Sequence, residues 1–171
     1  TENLNFNSSD AYASAKLKSE KYFTDNAHCD VVITRCFAFS GLYLPLDGAY
    51  AFGNFIGDAL EGRNITIKGD GSAIRSYLYA ADLVVWLLKA LALGKDKSIY
   101  NVGSPDSVTT LDLARKISSD GVHVNVLNLS SDKGNKYVPC TIKSQNDLGV
   151  QVYTSLDDAI KKTLKYYQRI D

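Results

Sequence analysis

The sequence has no methionine, one tryptophan, three prolines and three cysteines, and its formal charge is zero, with 19 Lys+Arg against 19 Asp+Glu. Each scarcity excludes something. A balanced charge argues against a chain that binds nucleic acid over its whole surface, although a local basic pocket remains open to it. No apolar run reaches the roughly 18 residues that cross a bilayer, so no membrane span is expected. The most apolar stretch, residues 80–93, is interrupted by Asp82 and Lys89 and reads as a core helix. Cys29, Cys36 and Cys140 fit neither a zinc spacing nor a paired disulfide framework, which points to reduced thiols, a cytoplasmic setting and no metal. With no initiator methionine and no leader pattern ahead of its polar start, the sequence is expected to be a piece of a longer protein.

What is present suits a folded α/β chain. Of its 171 residues, 45% are hydrophobic and 22% charged, enough for an ordinary core. Asn7-Ser8-Ser9-Asp10 offers caps for a helix over residues 11–25. The β-branched run Val31-Val32-Ile33-Thr34-Arg35-Cys36-Phe37 is the pattern of a strand buried on both faces of a parallel sheet. A helix is expected over 51–61, closed by Gly62, then strands at 65–68 and 75–79 around the turn Gly69-Asp70-Gly71. Further on, the patterns predict a helix over 82–93, a strand over 98–102 and a helix over 107–119 with capping chemistry at Thr109 or Thr110. A strand over 122–127, an extended stretch over 137–139 and an amphipathic helix over 155–169 complete the chain. The strand count is too low for a whole doubly wound nucleotide-binding sheet.

The pattern that could carry chemistry is Tyr12-Ala13-Ser14-Ala15-Lys16. Residues four apart share a helix face, so a phenol and an ammonium can enter one site. A free phenol has a pKa of about 10, and bringing it to neutrality takes roughly 4 kcal/mol of differential stabilisation, which a nearby cation favours. A phenol so tuned can remove a hydroxyl proton as general base. An aromatic residue and a lysine on the wet side of an amphipathic helix give the same short pattern.

The order of the surrounding segments narrows this. After Tyr12-Ala13-Ser14-Ala15-Lys16 and the strand ending Thr34-Arg35-Cys36-Phe37 come Asn54-Phe55-Ile56-Gly57-Asp58-Ala59-Leu60-Glu61-Gly62, Ile67-Lys68-Gly69-Asp70-Gly71, Arg75-Ser76-Tyr77-Leu78-Tyr79-Ala80-Ala81-Asp82-Leu83 and Tyr100-Asn101-Val102-Gly103-Ser104. This succession resembles the C-terminal half of the extended short-chain dehydrogenase/reductase family, the NAD-dependent nucleotide-sugar epimerases and dehydratases. The resemblance implies an α/β fold: the C-terminal part of a Rossmann-like parallel sheet, interleaved with a small α/β substrate-binding lobe, over residues 1–171. It implies that Tyr12 is the catalytic base and acid, and that Lys16 activates it and bonds the nicotinamide ribose, with Phe37 beside the nicotinamide. Ala51 at a helix start, Thr66, Lys68, Arg75, Thr110 and Lys133 would line the nucleotide-diphosphate site, Arg75 through a guanidinium that matches phosphate oxygens. A surface ion pair of Arg75 with Asp70 or Asp82 is the other reading of that residue.

Three positions depart from the family pattern: Ala38 stands where Asn is common, Ser40-Gly41-Leu42 replaces a Tyr-Gly-Pro turn, and Lys68 occupies a place often aromatic. The glycine-rich phosphate loop of the family is not among these residues, and Gly69-x-Gly71 does not replace it because it joins two strands rather than opening a helix. The expected function is therefore that of a larger NAD-dependent enzyme, which oxidises a sugar hydroxyl at C4 in the making of activated sugars or surface polysaccharides. Its partners would be a nucleotide-diphosphate sugar and a second copy of itself. A non-catalytic nucleotide-sugar-binding lobe and an association module are the alternatives for the chain alone.

Overall fold

The computed structural model describes residues 11–48, 50–128 and 134–169. Lys133 lies outside them. The chain opens with α1 (Ala11–Asn26), whose sixteen residues include none that is buried. Next comes β1 (Val32–Cys36), which pairs in parallel with β5 (Ser98–Val102), Val32 opposite Ser98 and Cys36 opposite Val102. The backbone N–H of Phe37 donates to the Val102 carbonyl at 3.0 Å, and the chain then leaves this sheet for another. There β2 (Ala38–Ser40) runs parallel to the second half of β4 (Ile74–Tyr79). The first half of β4 is gripped on both sides, by β6 (Ser107–Thr109) antiparallel and by β8 (Lys136–Tyr137) parallel. A third, two-stranded sheet joins β3 (Ile65–Ile67) to β7 (Val124–Val126). This is an α/β architecture dominated by parallel pairing.

Two hydrophobic clusters hold these sheets. In one, Phe52, Phe55 and Ile56 of α2 (Ala51–Leu60) pack with Ile65, Ile67 and, from α4 (Thr110–Ile117), Leu113 and Ile117; Ile160 of α6 (Leu156–Tyr167) closes it. In the other, Trp86 and Ala90 of α3 (Ala80–Leu93) meet Leu78, Tyr100, Val102 and, from α5 (Ile142–Leu148), Leu148. The capping chemistry of α4 resides in Thr109, whose hydroxyl accepts from the Asp112 N–H at 3.0 Å. The strand read as buried on both faces is half-buried instead, because among the described residues β1 pairs only with β5.

One buried charge fastens the second cluster. Asp82, 3% exposed at the start of α3, accepts from the backbone N–H groups of Tyr153 and Thr154 at 2.8 Å each and from the Thr154 hydroxyl at 3.0 Å. Its charge is thus met by three donors, the condition under which a carboxylate tolerates burial. Replacing it leaves those donors without a partner in a dry site. Asp82→Ala is expected to cost about 3 kcal/mol or more of folding stability, read as a lower denaturant midpoint. Asp82→Asn, which keeps an acceptor oxygen, should lose less.

Candidate functional site

The site forms where β1 passes into β2. Phe37 sits at that crossing and stacks on Tyr137, ring centroids 4.7 Å apart at 29°. Tyr137 in turn stands opposite Arg75 in the β4–β8 register. Burial beside Phe37 pushes the Tyr137 phenol up from its ordinary value; nearby Tyr12 pushes it the same way and Arg75 pulls it down. Tyr12, Phe37, Arg75 and Tyr137 therefore share one neighbourhood, although Tyr12 and Arg75 are 63 residues apart in sequence (75 − 12).

The helix carrying Tyr12 presents Lys16 beside it. The Lys16 ammonium lies over the Tyr12 ring, 5.6 Å from its centroid, as the four-residue spacing predicts. Tyr12 is 71% exposed, so its environment is wet as the chain stands. What ties α1 to the sheet is an ion pair: Arg35 on β1 donates to both oxygens of Glu20, at 3.0 and 2.7 Å, with both side chains about four-fifths buried at 21% exposure. That two-pronged geometry fixes the rotation of the helix as well as its distance.

Arg75 is held but not used up. Its Nη1 donates to the carbonyls of Ile74 and Asn135, both at 2.8 Å. Among the described residues nothing accepts from its Nε or Nη2, and neither aspartate considered in the sequence pairs with it. Asp70 instead accepts from the Ser72 hydroxyl and N–H, which holds its carboxyl below the usual range. The segment past Lys133 is stitched alongside. Gly134 donates to the Ser72 hydroxyl at 3.0 Å, and a Cβ at Gly134 would stand 2.3 Å from that same oxygen, so only glycine fits.

The remaining candidates divide. Thr110 spends its hydroxyl on the Ala73 carbonyl at 3.1 Å and its N–H on the same oxygen at 2.9 Å, a structural use. Ala51 opens α2 behind Tyr50, whose side chain makes no capping bond. Thr66 and Lys68 share the exposed side of β3 and its continuation, opposite buried Ile65 and Ile67. No hydrogen bond or ion pair among the described residues joins Thr66 or Lys68 to the Tyr12–Arg75 neighbourhood. Tyr137 was legible only as part of an extended stretch; its aromatic character two residues before Pro139, at the end of a polar loop, was the available signal. Among the described residues no group of three or more His, Cys, Asp or Glu could hold a metal, and no helix is long and apolar enough to cross a membrane.

Comparison with known proteins bears on the family and the fold. The description of the NAD dependent epimerase/dehydratase family matches residues 1–103. UDP-glucuronic acid decarboxylase 1 of Danio rerio is 29% identical over 143 residues, covering 82% of this chain and 34% of that protein. A UDP-N-acetylglucosamine 4-epimerase from Methanobrevibacter ruminantium, solved with UDP-N-acetylmuramic acid, superposes with a TM-score of 0.86 at 21% identity, over 100% of this chain and 57% of its own. A dTDP-glucose 4,6-dehydratase from Bacillus anthracis, solved with NAD, superposes with a TM-score of 0.81 at 19% identity, over 99% and 55%. The chain thus spans about a third of the decarboxylase and a little over half of each solved neighbour.

Because α1 buries no residue of its own and isolated helices of this length are marginal in water, the Arg35–Glu20 tie should govern its order. Glu20→Ala is expected to speed hydrogen exchange of the α1 amides at least about tenfold while leaving β1 and β5 protected. Unchanged exchange in α1 would show that other contacts hold it.

Proposed function

The chain belongs to the NAD dependent epimerase/dehydratase family, and from that premise we propose that it supplies the proton-transfer pair and the sugar-nucleotide side of an enzyme that oxidises a hydroxyl of a nucleotide-activated sugar, at C4. The observation that carries this reading is the convergence of Tyr12, with Lys16 over its ring, and the half-engaged guanidinium of Arg75 on one neighbourhood. In this reading Tyr12 takes the proton of the sugar hydroxyl through its Oη and returns it when the sugar is re-reduced or has lost water. Lys16 favours the phenolate by its charge. The free Nε and Nη2 of Arg75 hold the diphosphate, with the 134–135 backbone closing over it and Ala51, Thr66, Lys68, Thr110 and Lys133 lining the rest of the nucleotide.

The donors present fit the nicotinamide-ribose end of NAD: a phenol and an ammonium on one helix face, and an aromatic ring, Phe37, at the end of a parallel strand. When bound, NAD supplies the hydride acceptor. Its pyrophosphate has no glycine-rich strand–turn–helix among these residues; Gly71, at φ +79°, instead lets the β3–β4 turn approach Leu111, where a Cβ would come within 2.9 Å. The intact protein, in this proposal, brings that loop from a preceding half, works in the cytoplasm with its free thiols reduced, and pairs with a second copy along α1, where Tyr22 and Phe23 are exposed. The 71% exposure of Tyr12 favours a second reading for the chain by itself, a nucleotide-sugar-binding lobe without turnover.

Two substitutions in the intact enzyme test this. Tyr12→Phe removes one oxygen, so binding of cofactor and sugar nucleotide should persist while turnover falls about 10²–10⁴-fold; near-normal turnover would remove Tyr12 from the chemistry. Arg75→Ala should weaken sugar-nucleotide affinity with little change in thermal stability, and Lys at this position should restore only part of it, lacking the forked geometry. Calorimetry showing unchanged affinity would leave Arg75 as a clamp on the 134–137 segment alone.

A further inference from the structure

At the other end of β4 from Arg75, the last two turns of α6 and the residues after it form a second recess. It is a cleft of about 470 Å³ lined by Leu42, Lys162, Lys165, Tyr166 and Arg169. Lys162 and Lys165, three residues apart, share one face of α6, and Arg169 follows in the turn just past its end. The formal charge of the chain is zero, yet among the described residues no carboxylate pairs with any of these three. The acids of α6 are at its other end, where Asp157 holds Lys116 at 2.7 Å and Asp158 engages the Ser155 cap. Cations near a helix C-terminus answer the helix dipole in general. That does not account for Lys162, which lies mid-helix and rests its ammonium over the Tyr79 ring at 5.2 Å.

Next to the apolar side of the cleft, Tyr43 is tied to α6. Tyr43 holds a left-handed backbone, φ 63°, that a tyrosine adopts only under constraint. The constraint is visible: its N–H donates to the Tyr167 hydroxyl at 3.1 Å, and its own hydroxyl bonds that of Tyr166 at 2.7 Å. Leu42, the residue before this clasp, lines the cleft together with Tyr166. Lys165 and Arg169, which have no carboxylate partner among the described residues, and Lys162, whose ammonium rests over Tyr79, border a wall of Leu42 and Tyr166; the set suits a ligand with a flat ring at one end and several negative charges at the other.

We infer that this cleft binds a nucleoside di- or triphosphate, its phosphates on Lys162, Lys165 and Arg169 and its base on Leu42 and Tyr166. The site is distinct from the one around Arg75. Tyr79, which carries Lys162, is four residues along β4 from Arg75, about 13 Å at a strand's rise. The inference does not depend on the catalytic reading.

Calorimetric titration of the intact protein with ADP, in the presence of saturating NAD and in an Arg75→Ala background that weakens the first site, tests it. ADP should bind, and Lys165→Glu with Arg169→Glu should lower that affinity at least about tenfold, with the circular dichroism spectrum unchanged. Inorganic pyrophosphate, which lacks the ring, should bind at least about tenfold more weakly than ADP. No saturable binding of ADP at millimolar concentration, or affinity indifferent to the double charge reversal, overturns the assignment. So does pyrophosphate binding as tightly as ADP. Phosphatidylglycerol vesicles serve as the last arm: if they capture the protein through the same cations while ADP does not bind, the cleft is a membrane-facing patch and the assignment fails.

Discussion

Everything at the candidate site depends on how the backbone of Ile74 and Arg75 is held. β6 pairs with it on one edge and β8 on the other, and the Arg75 guanidinium adds a bond of its own to the Asn135 carbonyl. Two backbone ladders and one charged donor therefore converge on two residues. The consequence is that a segment far along the chain, 134–137, is pinned beside a strand sixty residues earlier, and Tyr137 is delivered under the ring of Phe37. Packing cannot do this alone, because Arg75 is only half-buried and Tyr137 is 49% exposed. The hydrogen-bonded ladder supplies the precision and the two hydrophobic clusters supply the stability.

Elements with a long, regular pattern were legible in the sequence. The apolar stretch at 80–93, the β-branched run at 31–37 and the amphipathic end of the chain take the helix or strand expected of them, within a residue or two; their burial differs, since the helix expected in the core buries only Asp82, Trp86 and Ala90 and the strand is half-buried. Short elements were not. β6 has three residues, and its Ser-Val-Thr reads in the sequence as the start of the helix that follows, since the same Thr109 that ends the strand also caps α4. The bend at Phe37 was invisible because nothing in Cys36-Phe37-Ala38 breaks a strand. It arises from the partners, as β5 stops at Val102 and β4 takes over at Tyr77. α5 is hard to read in the sequence for a related reason: Ile142-Lys143-Ser144-Gln145-Asn146-Asp147-Leu148 buries only Ser144 and Leu148, too few positions to show a period.

For the site, the sequence was strong where chemistry is local and weak where it is assembled. Tyr12 and Lys16 are four apart on one helix, so their juxtaposition needs no tertiary information. The engagement of Arg75 with two carbonyls, the internal use of the Thr110 hydroxyl and the part played by Tyr137 all depend on strand order. Residue type fixed the repertoire of each side chain, and the fold decided which part of it was already spent. Asp82 illustrates the point: in sequence it interrupts an apolar stretch, and in the structure its carboxylate is buried with three donors around it.

The outer side of α3 has a practical implication. Trp86 and Ala90 face the core, while Val84, Leu88, Leu91 and Leu93 are each more than half exposed, and Val85 and Leu87 are not far behind. A contiguous apolar strip of this kind sticks to whatever apolar surface it meets. Recombinant preparations of the chain should accordingly be sensitive to concentration and to kosmotropic salts, which strengthen such contacts. Arginine or a mild detergent in the buffer addresses that strip without disturbing the cores, because the helix is anchored from its other side.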